Sequence, residues 1–461
     1  MQPPPPVHSA LDLIGNTPLI ELRRTDTGRC QLFLKLECQN PGGSIKDRPA
    51  LRMIAEAERT GRLQPGGTII EGTAGNTGLG LALIARHKGY RMVVVMPDKM
   101  AKEKALHLRA LGADIVPSRS DVGKGHPDYY SDLAARLERE TPGSLYINQF
   151  ANPANVAAHE TETGPEILAQ MDHRIDAFVA GAGTGGTITG VGRALRRVNP
   201  DVALILADPV GSVLAPLVTE GTMPEAVGSW AVEGIGEDYV PPILELDLVT
   251  EAISVTDAEA FASARALLAE EGILVGSSTG TLLAAALRWC HRQTRPQRIV
   301  TLACDTGNKY LNRMFDEGWM REEGYVEGPE RGDLGDLVAR RHDDGLAVTV
   351  PGDAPLATAC SRLRDMGGKP IPVLSNDDAL LGVIDAPTAL QAVRSGRRGT
   401  PCAQVARPGH GLDVRADRAD LERTVRRHGY AVVTDNGGLV GVVTDLDLLR
   451  DAERTPCETY R

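Results

Sequence analysis

The chain has 461 residues, 42% of them apolar, enough for two or three folding units around large buried cores. A formal charge of −11, with Lys and Arg scattered among acidic residues, excludes the basic face that a nucleic-acid or membrane-surface partner needs. The N-terminal MQPPPPVHSA has no basic-then-apolar leader, and no later run is long enough to span a bilayer, so a cytoplasmic protein is expected. The seven cysteines (Cys30, Cys38, Cys290, Cys304, Cys360, Cys402, Cys457) are odd in number and widely spaced. With no C-x-x-C pair among them they predict reduced packing thiols, and no metal site is expected.

In chain order, apolar β-rich runs alternate with helical spacings. Residues 47–59 and 79–88 read as helices, 91–97 (RMVVVMP) as a strand, 102–112 as a helix and 113–118 as a strand. The alternation returns with strands at 176–183, 203–209 and 299–305 and helices near 187–198 and 258–271. Repeated strand-helix units predict an α/β fold whose parallel sheets are covered by helices. Residues 322–335 are charged, Gly-rich and without apolar periodicity, which predicts a joint between units. Beyond it, 371–385 and 430–445 each follow a helix-like run with a short hairpin pattern, an internal repeat of roughly sixty residues.

Chemistry concentrates in three glycine-rich loops and one lysine. Lys46 follows Gly42 and Gly43 and stands at the start of the 47–59 helix. The positive end of the helix dipole disfavours its charge there, and a neutral amine attacks aldehydes; by itself the segment also fits a solvated surface lysine. The second loop, Glu71 to Gly78, follows a strand and opens a helix, with Thr73, Asn76 and Thr77 as side-chain donors for an anion. Its glycines alone would suit a tight turn. The third loop, Gly181 to Thr187, is a phosphate cradle between strand and helix. Gly181, Gly183 and Gly186 also match G-x-G-x-x-G, and Asp208 ends the next strand where a dinucleotide enzyme places its ribose acid. A nicotinamide oxidoreductase thus stands beside an aldehyde-phosphate cofactor, although dinucleotide binding gives Lys46 and Asn76 no role.

Taken together, Ile14 to Leu19 (IGNTPL), Pro41 to Arg48 (PGGSIKDR), Gly72 to Ala82 (GTAGNTGLGLA), Asn148 to Ala154 (NQFANPA), Gly183 to Thr187 (GTGGT), Val232 to Gly236 (VEGIG) and Gly276 to Gly280 (GSSTG) form an ordered set. The set resembles the cystathionine β-synthase and cysteine synthase family, in the tryptophan-synthase-β-like (fold type II) class of pyridoxal-phosphate enzymes. The resemblance implies that Lys46 binds the cofactor's aldehyde and is the catalytic residue, moving the substrate's α-proton. It implies that Asn76 contacts the ring's 3'-oxygen, that Gly183, Thr184, Gly185, Gly186 and Thr187 hold the phosphate, and that Ser278 faces the pyridine nitrogen. Thr73, Ala74, Asn76, Thr77, Gln149 and Gly234 would line the substrate pocket. A hydroxyl at Ser278 cannot keep that nitrogen protonated, so the ring is a weaker electron sink and loss of a β-substituent is favoured. The implied reaction is β-replacement joining L-serine, or an O-acylserine, to L-homocysteine to give cystathionine, with cysteine synthesis from O-acetylserine and sulfide as the alternative. Its small-molecule partners are an amino acid and a thiol, and the resemblance implies a homodimer or higher homo-oligomer.

Several residues depart from the family pattern. Ala74 stands where a serine is common, Phe150 follows Gln149 where the animal enzymes carry tyrosine, and Glu237 follows the EGIG run where they also carry tyrosine. Matching begins at Ile14 and His8 has no neighbouring cysteine, so no haem is expected. The expected domains are a catalytic domain at 1–325, a linker at 326–335 and two CBS domains at 336–395 and 396–461. The C-terminal repeat resembles a tandem CBS module. Thr444 and Asp447 in Gly441 to Asp447 (GVVTDLD) match the residues of adenosine-ligand sites, for AMP, ATP or S-adenosylmethionine, whereas Gly382 to Thr388 (GVIDAPT) lacks that order. A module that only packs and dimerises is the other reading, and a nucleotide sensor with a degenerate catalytic part a third.

Overall fold

Alternating apolar runs and helical spacings become alternating strands and helices. The computed structural model describes residues 6–73, 75–98, 102–123, 125–326 and 331–454; Ala74, Cys457 and residues 327–330 of the expected linker lie outside them. The chain divides into two compact units, Met1–Leu311 and Asn312–Arg461. That division falls upstream of 326–335, because a short helix at Glu317–Glu322 belongs to the second unit, where Arg340 donates to Glu322 at 3.0 Å and to Asp316 at 2.8 Å. No helix among the described residues is long and apolar enough to cross a membrane.

The first unit begins with β1 (Leu19–Glu21), β2 (Gln31–Lys35), α1 (Asp47–Arg59), β3 (Thr68–Gly72) and α2 (Asn76–Lys88). It continues with β4 (Arg91–Pro97), α3 (Lys102–Ala110), β5 (Asp114–Ser118), α4 (Tyr130–Glu140), β6 (Ser144–Tyr146) and α5 (Pro153–Ala158). A π turn (His159–Thr163) leads into α6 (Gly164–Gln170), β7 (Ala177–Ala180), α7 (Gly186–Val198), β8 (Ala203–Pro209) and α8 (Leu214–Glu220). The unit closes with β9 (Glu251–Val255), α9 (Asp257–Glu271), α10 (Ser277–His291) and β10 (Arg298–Leu302). One sheet is wholly parallel, in the order β5-β4-β3-β6; the other runs β1-β2-β10-β7-β8-β9 and is parallel except for β1. Every residue of β3 and β7 is buried, as helices on both faces require. Local chemistry sets the helix ends: Thr256 and Glu259 form a capping box on α9, and Gly272 ends it at φ +75°. On α1, Met53, Ile54 and Ala57 join Leu81 and Ile84 of α2 and Ile69 of β3 in one apolar cluster. Burying each of the larger side chains contributes about 1.5 to 3 kcal/mol. Parallel strands send their connections out at one edge, so the loops after β7 and β10, neighbours in one sheet, leave side by side.

In the second unit, after α11 (Glu317–Glu322), come β11 (Val350–Pro351), α12 (Leu356–Asp365), β12 (Ile371–Leu374), β13 (Leu380–Ile384) and α13 (Ala386–Arg394). Then follow β14 (Gly411–Asp413), α14 (Arg418–His428), β15 (Tyr430–Asp435), β16 (Gly438–Thr444) and α15 (Asp445–Arg454). Each three-stranded sheet pairs its first two strands in parallel and its last two as a hairpin. Both hairpins shift register at the same place, between Val373 and Leu374 and between Val433 and Thr434. The sequence repeat is therefore a structural one, down to its bulge.

Arg48, two residues into α1, is fully buried. Its guanidinium reaches Glu37 at 2.7 and 2.8 Å and Glu166 of α6 at 2.7 Å twice. Lys35 joins the same Glu166 at 2.8 Å. Burial alone would raise the Glu166 pKa, but the hydrogen bonds from Arg48 and Lys35 carry it down from 4.5 to about 2. Its stabilising contribution is therefore full above pH 4.5 and lost as pH falls toward 2. Removing one partner strands the others in the interior. Arg48→Ala should lower the first unit's stability by about 3 to 5 kcal/mol in urea unfolding, whereas Arg23→Ala, at the exposed pair with Glu21, should cost no more than about 1 kcal/mol. Equal small effects would show that the network does not hold α1 in place.

Candidate active site

Lys46 is the residue immediately before α1 and makes no capping hydrogen bond with its side chain. It opens onto a cavity of about 520 Å³ whose wall also holds Asn76, Gly183, Thr184, Gly185, Thr187, Gly234 and Ser278. The structure thus brings the lysine, the cradle and the neutral hydroxyl around one space. The Lys46 pKa is lowered chiefly by burial, while the acidic neighbours Asp305 and Glu237 pull it back up. Desolvation is accordingly a larger effect than the helix-dipole argument made from sequence allowed for.

The cradle is shaped by what its glycines exclude. A methyl group on Gly183 would lie 2.7 Å from the Gly234 carbonyl oxygen. One on Gly185, where φ is +83°, would lie 2.5 Å from Leu244 Cβ. Only backbone fits at either position, so the wall at the start of α7 is made of amides and two threonine hydroxyls, the donor set of a phosphate site. Gly186, the first residue of α7, is buried beneath it, and Asn155 of α5 donates to Thr184 Oγ1 at 3.0 Å. Thr187 Oγ1 lies 3.3 Å from His159 Nε2, and the other ring nitrogen lies 3.0 Å from Thr163 Oγ1. Burial holds the His159 pKa well down, so the ring is neutral. These residues fit a phosphate-bearing aldehyde cofactor.

Asn76, the first residue of α2, is held at both ends of its amide: Nδ2 donates to Asp305 at 2.9 Å and Oδ1 accepts from Lys309 at 2.5 Å. Other residues expected in the pocket stand back from the cavity wall. Thr77 Oγ1 donates to Gln149 Oε1 at 2.6 Å with both side chains buried. Thr73 Oγ1 accepts from the Gly75 amide at 3.2 Å. Ala74 lies outside the described residues. The acid of the dinucleotide reading goes elsewhere: Asp208 is fully buried and accepts from the Ala215 amide at 2.8 Å at the start of α8. Asp208 is not among the residues that line the Lys46 cavity, and its carboxylate serves a helix start.

Sequence reasoning missed Cys304 and Glu233, which also line the cavity. Burial pushes the Cys304 thiol up to about 12, which keeps it neutral. Glu233 pairs with Lys104 of α3 at 2.5 Å. Glu233 lay inside a quoted motif and Cys304 directly after β10, so position offered a signal that residue type did not. In the second unit, a cavity of about 450 Å³ is lined by Asp447, Lys369, Arg340 and Glu322 among others. Thr444 donates to Asp447 Oδ2 through its amide at 2.8 Å and its hydroxyl at 2.6 Å, and Lys369 reaches Oδ1 at 3.0 Å.

Comparison with known proteins agrees with this geometry. The family described as pyridoxal-phosphate dependent enzyme matches residues 10–305, and the CBS domain matches 414–453. The chain is 34% identical to a cystathionine beta-synthase of Dictyostelium discoideum, over 95% of this chain and 91% of the relative. It is 42% identical to a probable cysteine synthase of Bacillus subtilis, over 66% of this chain and 96% of the relative. The crystal structure of O-ureido-L-serine synthase superposes with a TM-score of 0.64 at 34% identity, over 71% of this chain and 99% of that one. The chain belongs to the pyridoxal-phosphate-dependent enzyme family, among the β-replacing enzymes that include cystathionine β-synthases and cysteine synthases, and it carries a CBS domain.

Proposed function

We propose that the cavity of the first unit joins L-serine, or an O-acylserine, to L-homocysteine by β-replacement to give cystathionine. One observation carries the reading: a desolvated Lys46, an anion cradle of backbone amides and two threonine hydroxyls, and the neutral hydroxyl of Ser278 share one cavity. The second reading, sulfide as the thiol, draws on Phe150 and on the similarity to a cysteine synthase. Bound there, pyridoxal phosphate supplies an aldehyde for the amino acid's nitrogen and a conjugated ring that draws electrons from its α-carbon.

The chain's own residues do the rest. Lys46 would hold the cofactor's aldehyde at rest. Its freed Nζ would take the substrate's α-proton and return one to the α-carbon after the thiol has replaced the β-substituent, which leaves as water or a carboxylate. The burial that lowers its pKa favours the neutral amine a general base needs. Gly183, Thr184, Gly185 and Thr187, with Gly186 behind them, hold the phosphate, and Asn155 and His159 orient the two threonine hydroxyls. Asn76, fixed by Asp305 and Lys309, would contact the ring's 3'-oxygen. Thr73 and Thr77 belong to the substrate loop and Gln149 follows β6; their hydroxyl and amide groups are held by the Gly75 amide and by each other until a carboxylate arrives.

The same reading makes residues 336–395 and 396–461 a tandem CBS module with an adenosine-ligand site at Thr444 and Asp447. It also places the protein in the cytoplasm as a homo-oligomer.

Steady-state rates for the four pairings of serine or O-acetylserine with homocysteine or sulfide test the assignment. Homocysteine should give the higher kcat/KM, and a preference for sulfide would make the second reading the better one. Lys46→Ala should lower kcat by at least about 100-fold, the low end for a lost acid-base group; turnover near the parent rate would remove Lys46 from the chemistry. For the module, calorimetric titration with AMP, ATP and S-adenosylmethionine should find binding that Asp447→Ala abolishes. Titrations without heat for all three would leave a module that only packs.

A further inference from the structure

Glu233, Gly234 and Ile235 line the cavity, and Glu237 stands two residues beyond them in the same loop. Its backbone is pinned: the amide donates to Ser212 Oγ at 3.1 Å, and the carbonyl accepts from Ser212 Oγ at 3.2 Å and from the Val213 amide at 3.0 Å. Gly234 and Gly236, at φ +87° and +86°, set the turn just before it, and a methyl on Gly236 would meet Pro209 and Trp230. The Glu237 side chain therefore leaves the loop in one direction, toward the cradle. A methyl on Gly183, in the cavity wall, would lie 3.7 Å from Glu237 Oε1. The carboxyl and Lys46 lie close enough to shift each other's charge.

Among the described residues the Glu237 side chain has no hydrogen bond or ion pair, unlike Glu233 beside it, which Lys104 engages. Burial, with Asp238 and Asp208 nearby, pushes its pKa up to about 8. A buried acid without a partner is relieved by a ligand group that donates to it, most strongly by a cation, which also favours its ionised form. The proposed reaction brings exactly two amino groups into the cavity. The first substrate's nitrogen is engaged by the cofactor's aldehyde, and Lys46 is the general base, so the ammonium still in need of a counter-charge is that of the incoming thiol. Hydrosulfide has no such group and gains nothing from a carboxylate.

We infer that Glu237 is the specificity-determining residue for the second substrate, its carboxylate receiving the α-ammonium of an amino-acid thiol and so selecting it over sulfide. The inference rests on the β-replacement reading above. The test uses the full-length holoenzyme as wild type, Glu237→Gln and Glu237→Asp. It compares homocysteine, sulfide and 4-sulfanylbutanoate, which is homocysteine without its amino group. Glu237→Gln should lower the homocysteine-to-sulfide ratio of kcat/KM by about tenfold or more, the loss of one hydrogen bond to a charged group. The change should sit in the KM for homocysteine rather than in kcat, and Glu237→Asp should recover part of it. Calorimetric titration of holoenzyme should show homocysteine binding more tightly than 4-sulfanylbutanoate in wild type and about equally in Glu237→Gln. An unchanged ratio, or equal losses with homocysteine and sulfide, overturns the inference while β-replacement stands. A wild type that joins neither thiol to an amino acid overturns both.

Discussion

The role proposed for Lys46, the residue just before α1, needs that helix start to be immobile, and here the anchor is the buried guanidinium of Arg48. Glu37, on the turn after β2, and Glu166, on α6, both close on it at 2.7 to 2.8 Å, and Lys35 balances the second carboxylate. Two cations and two carboxylates share the interior, so the group carries no net charge. Any single deletion unbalances it. Through this contact three segments distant in sequence set where Lys46 stands, and the geometry of the cavity follows from that placement.

The cavity in turn divides its labour by residue type. Glycines where a Cβ would strike Gly234 or Leu244 make a wall of backbone amides for an anion. Neutral groups, Ser278 and Cys304 in the wall and the ring of His159 behind Thr187, make up much of the rest, so charge at the cavity is confined to a few side chains. Lys46 and Glu233 are two in the wall, and Glu237 stands beyond it with its uncharged form favoured by burial until a cation arrives. In a low-dielectric space each counts for more than at the surface, which is why a single acid can sort one thiol from another.

Much of this was legible in sequence because it is steric or periodic. Strands β4 and β8 end where their apolar runs end, at Pro97 and Pro209, since strands buried on both faces carry continuous apolar runs. Lys46, Gly183 to Thr187 and Ser278 lie in short motifs whose glycines have no substitute, and they meet at one cavity. The contacts that crossed the chain were not legible. Arg48 and Glu166 are 118 positions apart, and Lys369 and Asp447 78, with nothing local in either partner to announce the other. Asp208 shows the opposite error: its spacing from Gly181 suited a ribose, but spacing does not say whether a carboxylate opens to ligand or caps a helix. The division between compact units lies upstream of the expected joint for a related reason. Polar composition at 322–335 described exposure, whereas the ion pairs of Arg340 with Asp316 and Glu322 decide which unit that stretch joins.

The account turns on which lysine carries the cofactor, and the fold offers a rival. Lys309 donates to Asn76, which lines the cavity, lies 3.5 Å from the Gly42 and Gly43 carbonyls, and has its pKa lowered by burial as Lys46 does. Borohydride reduction of the holoenzyme, followed by proteolysis and mass-spectrometric mapping, fixes the cofactor to whichever amine held it. The account predicts a single pyridoxyl group on the peptide containing Lys46. A pyridoxyl group on Lys309 or any other lysine, or a protein that takes up none, would contradict it.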